Sequence, residues 1–230
     1  MHNEHILVVE DEAALRDTII EAMEFVGFKV TACENGLEAL MKTVNLQPDL
    51  VICDVNMPVM SGFDYMKRIK EVLSDPPPVI MLTAHVQVKD RTQGLRLGAS
   101  EYLAKPFDTR QMLDVVAERL KRKKAWAPRL AEHAEHHSRK IAGVQDEEPI
   151  VFNLSQVIYL QGIGDTVKVK LKRGRETVIN SNLEEFTFLL EDNFTRWNDL
   201  IILHSAIDEM TESDLVLKDE TAFSTEESTA

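Results

Sequence analysis

Short apolar runs alternate with amphipathic stretches through the first 120 residues, with a period of about 25 residues. The apolar runs are rich in Val, Ile and Leu, which is typical of strands buried on both faces. They cover residues 5–9, 28–32, 49–53, 78–82 and 101–104. The stretches between them have helical periodicity and predict helices over 13–26, 36–46, 63–73, 88–97 and 109–121. Because crossovers between parallel strands are right-handed, we expect an α/β domain: a doubly wound, five-stranded parallel sheet in the order 2-1-3-4-5.

The pattern changes after residue 122. Residues 123–149 combine a polar helical stretch over 128–142, a stop signal at Gly143 and an acidic run before Pro149, which predicts a helical and acidic linker. Beyond it, the sequence predicts a mostly-β domain with one helix over 150–223. Its strands are expected at 151–160, 166–171, 175–179, 194–204 and 215–223, and its helix at 182–191. Residues 224–230 are expected to be a disordered tail.

Composition places the chain among globular proteins, with 44% apolar and 28% charged residues. No window approaches the ~18 consecutive apolar residues of a membrane span, and the first residues lack a signal-peptide pattern, so we expect a cytoplasmic protein with no membrane contact. Its two cysteines, Cys33 and Cys53, are too few for a disulfide scaffold or a four-thiolate zinc site. We expect them to be packing and surface residues rather than redox centres.

The formal net charge of −13 argues against a protein that coats nucleic acid through bulk electrostatics. The acidity is concentrated in the last third, where residues 151–230 contain 15 acidic and 7 basic side chains. DNA binding by this half therefore requires a locally basic face.

Acidic residues follow two strands that are neighbours in the predicted sheet. Glu10 and Asp11 come directly after the first strand, and Asp54 follows the third. The carboxyl ends of these strands form the expected ligand crevice. Thr83 ends the fourth strand at the same edge, and Lys105 follows the fifth. The sequence thus predicts an edge that combines three carboxylates, a hydroxyl and an ammonium group.

Three adjacent carboxylates repel one another unless a cation neutralises them. Mg²⁺, which prefers oxygen ligands, suits such a cluster. With Lys105 opposite, the arrangement suits attack of the Asp54 carboxylate on a phosphoryl group, because the metal and the lysine offset charge on the phosphoryl oxygens.

These residues, in this order and spacing, resemble those of a two-component response regulator with a CheY-like receiver domain over residues 1–122. The motifs are an acidic pair after the first strand, the pattern D-x-x-M-P-x-x-x-G from Asp54 to Gly62, Thr83-Ala84, and Lys105-Pro106-Phe107. The resemblance implies that a cognate histidine kinase phosphorylates Asp54 and that Lys105 pairs with the phosphoryl group. It also implies that Thr83 then moves toward the phosphoryl group while Tyr102 turns inward. It also implies that Mg²⁺ is held by Glu10, Asp11, Asp54 and the carbonyl group of Asn56, and that a homodimer forms on phosphorylation through residues 88–121.

The last third resembles a diverged LytTR-type DNA-binding output domain. The resemblance rests on residues 157–160, 164–169, 182–186 and 194–197. It implies that phosphorylation controls transcription through DNA binding. The sequence departs from the family pattern at Asn198-Asp199-Leu200 and in its acidic tail. The candidate DNA contacts are Lys168, Lys170, Lys172, Arg173, Arg175, Arg196, Asn198 and His204.

Two alternatives stay open for this half. Alternating lysines are also typical of a half-buried strand with a soluble outer face. The acidity and the missing basic tail favour a phosphorylation-gated module that binds a protein instead of DNA. An enzymatic output is not expected, because residues 151–230 have no cysteine, a single histidine and no nucleophile or metal pattern.

Overall fold

The computed structural model describes residues 4–84, 99–131, 139–191, 193–211 and 213–224. The chain divides into two compact units, Met1–His137 and Ser138–Ala230. Each has its own apolar core. Within the described ranges, no helix is both long and apolar enough to cross a membrane. The predicted helix over 88–97 and nearly all of the predicted tail lie outside the described residues.

The first unit contains the predicted five-stranded parallel sheet. Its strands are β1 (His5–Val9), β2 (Lys29–Cys33), β3 (Leu50–Asp54), β4 (Val79–Thr83) and β5 (Glu101–Ala104). All four neighbouring pairs are parallel, and the order is β2-β1-β3-β4-β5, which confirms the expected fold class. Residues of β3 and β4 are buried without exception, as expected of central strands covered on both faces.

Helices follow these strands and begin close to the predicted positions. They are α1 (Ala13–Phe25), α2 (Gly36–Leu46), α3 (Gly62–Val72) and α4 (Thr109–Ala131). Two begin at a side-chain cap: Asn35 accepts a hydrogen bond from the Glu38 amide, and Ser61 accepts one from the Asp64 amide. Such caps satisfy amide groups that have no partner within the helix.

Helix α4 continues ten residues beyond its predicted end and is tied to the sheet along the way. Lys123 Nζ donates to the Asp49 carboxylate at 3.0 Å and to the Asp49 carbonyl at 3.2 Å. The other carboxylate oxygen of Asp49 accepts from the amide of His5, the first residue of β1, at 3.0 Å. These contacts fix the helix where it passes the amino-terminal end of the sheet, opposite the edge that carries Asp54.

The prediction of one linker over residues 123–149 is wrong in its second half. Helix α4 occupies the linker's beginning, and β6 (Lys140–Gln145) and the start of β7 (Glu148–Asn153) occupy its end. Gly143 is a strand residue instead of a helix stop. A Cβ atom there would lie 2.5 Å from Ile179 Cδ1, so the absence of a side chain lets Ile179 pack onto the strand.

The second unit is mostly β, as expected. A seven-stranded sheet has the order β11-β12-β8-β9-β10-β6-β7, and a three-stranded sheet has the order β13-β14-β15. The remaining strands are β8 (Val157–Ile163), β9 (Thr166–Leu171), β10 (Glu176–Asn180), β11 (Phe194–Trp197), β12 (Leu200–Leu203), β13 (Ile207–Met210), β14 (Asp214–Leu217) and β15 (Ala222–Ser224). One cluster of buried residues packs with the segment Leu183–Glu191, and another lies between Tyr159, Leu200 and strand β14.

Several predicted elements of this unit differ in detail. The segment predicted as a helix at 182–191 is a 3-10 helix, Leu183–Glu191. The run 194–204 is a hairpin rather than one strand, because Asn198 adopts a left-handed φ of 51° and reverses the chain. The run 215–223 likewise belongs to two strands, β14 and β15. Both runs remain apolar on each side of the turn, so their pattern resembles that of a single strand.

Both cysteines are buried in the first unit. Cys33 ends β2, and Cys53 lies in β3 with its thiol 3.3 Å from the Asp54 carbonyl oxygen. Burial raises the pKa of each thiol above its ordinary value. The expectation of a packing role therefore holds for both residues, but neither is a surface residue.

We expect both thiols to be inert in the folded protein, because only exposed thiolate reacts readily with a disulfide reagent. With Ellman's reagent at neutral or mildly alkaline pH, thiol release should proceed at the rate of unfolding. Protein unfolded in urea serves as the control, and both of its thiols should react at once. Rapid release of one equivalent from native protein would contradict this assignment.

Candidate functional site

Four predicted residues meet at the carboxyl-terminal edge of the parallel sheet. Asp54 is the last residue of β3, Glu10 and Asp11 follow β1, and Lys105 follows β5. The strand order makes β1 and β3 neighbours. Chain reversal after each strand therefore brings together residues that are up to 95 positions apart.

Lys105 connects two of the carboxylates directly. Its Nζ atom lies 2.7 Å from Glu10 Oε2 and 2.7 Å from Asp54 Oδ2. Burial raises the pKa of the Glu10 carboxyl, while the hydrogen bond from Lys105 acts in the opposite direction. Burial also disfavours the charged form of Lys105, but its hydrogen bonds to Asp54 and Glu10 outweigh that effect and raise its pKa. The lysine is thus held charged beside Asp54.

The carboxylates form a cluster with the chemistry of a divalent-cation site. Ligand oxygens of Glu10, Asp11 and Asp54 all lie within 4.8 Å of one another. Glu10 and Asp54 are buried, whereas Asp11 is exposed at the mouth. A set made only of carboxylate oxygens fits Mg²⁺, which takes a few carboxylates and retains water molecules on its open side. The residues present therefore fit the ion that the sequence predicts.

The other predicted receiver residues line the same edge. The Asn56 amide lies 3.4 Å from Asp54 Oδ1, which places Asn56 at the start of the following loop. Thr83 is buried at the end of β4, and its carbonyl oxygen accepts a hydrogen bond from the Lys105 amide at 2.8 Å. Tyr102 lies in β5, opposite Met81 of β4, and its hydroxyl oxygen is buried. Thr83 therefore joins the end of β4 to the loop that carries Lys105.

Arg16 is a positioning residue that the sequence analysis missed. Its Nη1 donates to the Glu10 carbonyl at 2.8 Å, and its Nη2 pairs with Glu34 at 3.0 Å. These contacts fasten the loop that carries Glu10 and Asp11 to the first turn of α1. The only signal in the sequence is an arginine one helical turn after the acidic pair, which is too common a pattern to single it out.

The loop after Asp54 is held by backbone hydrogen bonds at both ends. The Gly36 amide donates to the Met60 carbonyl at 3.1 Å, and the Gly62 amide donates to the Val55 carbonyl at 3.0 Å. A Cβ atom on Gly62 would lie 2.2 Å from the Asp54 carbonyl oxygen. Between these anchors, Val59 is 79% exposed with a left-handed φ of 66°, an uncommon conformation for a β-branched residue.

In the second unit, two of the candidate DNA-contacting lysines are already paired. Lys168 and Lys170 of β9 lie 3.0 Å and 2.8 Å from the two carboxylate oxygens of Glu176 on β10. Strand β9 ends at Leu171, so Lys172 does not continue their face but belongs to the turn before β10. Three exposed cations remain at that turn: Lys172, Arg173 and Arg175.

The other candidate contacts lie around the β11–β12 hairpin. Arg196 donates two hydrogen bonds to the carboxylate of Glu184, at 2.9 Å and 2.5 Å. Asn198 is exposed at the turn of the hairpin, and His204 is exposed in the 3-10 turn that follows β12. The structure therefore separates the candidates into cations that pair with a carboxylate of another element and exposed residues that form no ion pair with another described residue.

Comparison with known proteins identifies the first unit. Residues 6–117 match the family model of the response regulator receiver domain. A CheY-like response regulator receiver domain protein from Methanospirillum hungatei has a similar structure, with a TM-score of 0.51 and 26% identity. The match covers 54% of this chain and 98% of that one.

Two curated relatives extend the comparison. The DNA-binding dual master transcriptional regulator RpaA of Synechocystis is 36% identical over 131 residues, which are 56% of this chain and 54% of RpaA. The response regulator SaeR of Staphylococcus epidermidis is 32% identical over 166 residues, which are 72% of this chain and 68% of SaeR. The match to RpaA thus spans about half of that relative's length.

We expect Gly62→Ala to lower the free energy of unfolding by about 1–3 kcal/mol, because the new methyl group would overlap the Asp54 carbonyl and displace the loop that follows it. Denaturant unfolding followed by circular dichroism measures the effect. Lys67→Ala, at an exposed position of α3, is the matched control and should change stability by no more than ~0.5 kcal/mol. Equal stabilities of the two variants would show that the close approach is not a real constraint.

Proposed function

Because the chain belongs to the response-regulator family, we propose that Asp54 accepts a phosphoryl group from a cognate histidine kinase and that this controls the output of the second unit. The observation that carries the proposal is the position of Lys105. Its ammonium group lies 2.7 Å from Asp54 Oδ2 at an edge shared with two further carboxylates. The proposal includes action in the cytoplasm, where a kinase would meet its regulator.

The transfer would proceed at one oxygen of Asp54. A carboxylate oxygen attacks the phosphorus atom of the donor, the bond between phosphorus and its leaving group breaks, and an acyl phosphate forms. Lys105 contacts the site of the incoming phosphoryl oxygens and stabilises their charge. Buried Glu10 holds the lysine in place from the other side, since it shares the same ammonium group.

Mg²⁺ would be held by the carboxylates of Glu10, Asp11 and Asp54 together with the carbonyl group of Asn56. The ion supplies charge neutralisation for the carboxylate cluster and the phosphoryl oxygens. Arg16 contributes indirectly, because it fixes the loop that carries the first two ligands.

Phosphorylation adds roughly −1.5 to −2 charges beside Thr83, and this change must be read by neighbouring residues. We propose that Thr83 moves toward the phosphoryl group and that Tyr102 follows. Homodimer formation on phosphorylation through residues 88–121 stays a prediction, and its first helix lies outside the described residues.

For the output, we propose regulation of transcription by DNA binding through a diverged LytTR-like unit. The mostly-β order with the nine-residue 3-10 helix Leu183–Glu191 supports this assignment. DNA binding is also supported by the similarity to RpaA, a DNA-binding transcriptional regulator. The exposed turn with Lys172, Arg173 and Arg175 is the best-placed cationic contact, since these side chains form no ion pair with another residue of the described ranges. Asn198 and His204 are the exposed polar candidates. The unit would act by binding and would perform no reaction of its own.

The second candidate is a phosphorylation-gated module that binds a protein. The observation that favours it is the pairing of Arg196 with Glu184 and of two β9 lysines with Glu176. Each of these cations is satisfied within the unit, which reduces the counterion release that supplies most affinity for DNA. An acidic surface with internally paired cations suits a basic protein partner.

We expect wild-type protein with Mg²⁺ and acetyl phosphate to gain one phosphoryl group and Asp54→Asn to gain none, because the amide oxygen is a poor nucleophile. Intact-mass spectrometry measures the uptake. Asp75→Asn, at an exposed position outside the site, is the control and should behave as wild type. Undiminished uptake by Asp54→Asn would refute Asp54 as the acceptor.

We expect phosphorylated protein to enrich specific fragments of genomic DNA. Arg173→Ala combined with Arg175→Ala should weaken that binding and lower the salt dependence by roughly one unit of slope for each lost phosphate contact. Arg196→Ala should have a smaller effect, because Glu184 already neutralises this arginine. Failure to enrich any fragment, with retention of a basic protein partner, would favour the second candidate.

A further inference from the structure

All three nitrogen atoms of the Arg196 side chain donate hydrogen bonds within the second unit. Arg196 lies in β11, at one edge of the seven-stranded sheet. Its Nη1 donates to Glu184 Oε2 at 2.9 Å, and its Nη2 donates to Glu184 Oε1 at 2.5 Å. Its Nε donates to the carbonyl oxygen of Asn198 at 3.2 Å. Both terminal nitrogens of the guanidinium group are therefore directed at one carboxylate.

The backbone that carries Glu184 is fixed by contacts other than this ion pair. Glu184 lies in the first turn of the 3-10 helix Leu183–Glu191, whose apolar residues belong to the buried core of the unit. Its amide group donates to Asn182 Oδ1 at 2.9 Å, and its carbonyl oxygen accepts a hydrogen bond from the Thr187 hydroxyl at 2.9 Å. Replacing the carboxylate of Glu184 should therefore leave the segment in place.

The pair has the geometry in which an arginine binds a phosphate group. A planar guanidinium group presents parallel N–H donors, which fit two oxygens of a carboxylate and two oxygens of a phosphate alike. The hydrogen bond from Arg196 lowers the pKa of the Glu184 carboxyl, so this group is charged at neutral pH. A carboxylate of the protein itself thus occupies the position that a phosphate would take on Arg196.

The pair is open to solvent and can be exchanged. The side chains of Arg196 and Glu184 are 36% and 61% exposed. Exposed ion pairs contribute little stability, because water and salt screen them. A DNA duplex that other residues of the unit hold nearby can therefore displace the carboxylate. The incoming phosphate would then lie beside the hairpin turn, since the carbonyl group of exposed Asn198 contacts the same guanidinium group.

We propose that Glu184 is a specificity-determining residue of the second unit, because it competes with DNA phosphates for Arg196 and so lowers the affinity for DNA. This inference rests on the proposed DNA-binding function. When a phosphate binds Arg196, the Glu184 carboxylate turns to solvent and remains close to the duplex as a repelling charge. A duplex with few other contacts does not offset this cost, so Glu184 favours sites that the rest of the unit also contacts.

Binding of a labelled, nonspecific DNA duplex to the full chain at low salt, measured by fluorescence anisotropy, tests the proposal. Glu184→Gln keeps the shape of the side chain and removes its charge. We expect it to lower the Kd by about fivefold, the upper range for an exposed ion pair. The slope of log K against log salt should steepen by about 0.9, because one more phosphate is contacted. Glu185→Gln is the matched control, since it makes the same charge change in a carboxylate that accepts from the Ser181 hydroxyl instead of from an arginine.

Arg196→Ala shows whether the tighter binding depends on this arginine. Combined with Glu184→Gln, it should abolish the increase in affinity, because the two residues are coupled. Thermal unfolding by circular dichroism verifies that every variant is folded. Equal Kd values for Glu184→Gln and Glu185→Gln, or an increase that persists without Arg196, would overturn the inference and leave DNA binding intact. If neither the wild type nor any variant binds the duplex, the proposed DNA-binding function fails and the inference fails with it.

Discussion

One ammonium group holds the functional edge of the first unit together. Lys105 lies between a fully buried glutamate and the nearly buried Asp54, two like charges that would otherwise repel each other. Its own loop is tied to β4 through the Thr83 carbonyl. The ends of strands β1, β3, β4 and β5 are therefore coupled through a single residue, by its side chain and its backbone amide. A new negative charge on Asp54 would compete for that side chain, which makes the edge responsive as a whole.

The sheet and its edge could be predicted because they depend on local patterns. Each strand of the first unit is a short apolar run bounded by polar residues, and each connection is a helix, so strand order and chain reversal determine where Glu10, Asp54 and Lys105 meet. The contribution of Arg16 could not be predicted, because its hydrogen bonds to the Glu10 carbonyl and to Glu34 follow from loop geometry. The left-handed conformation of Val59 could not be predicted either, because such a conformation is usually indicated by a glycine and this position has a valine.

The second unit was predicted less well because its elements are defined by partners far along the chain. Gly143 predicts the end of a helix, yet it lies in a strand, where the absence of a side chain leaves room for Ile179. The run from Phe194 to His204 reads as one strand because both arms of the hairpin are apolar. The lysines of β9 predict a basic patch, but Glu176 on the adjacent strand pairs with both of them.

The hydrogen bonds from Lys123 to Asp49 fix one point of α4, and the helix extends beyond that point. Eight residues of the helix follow Lys123, and they span about 12 Å at 1.5 Å per residue. If the helix tilted by about 5° at Lys123, its last residue would move by about 1 Å, because the helix behaves as a rigid rod over this length. A small shift at the amino-terminal end of the sheet, where Asp49 lies, can thereby be converted into a larger displacement at the far end of the helix.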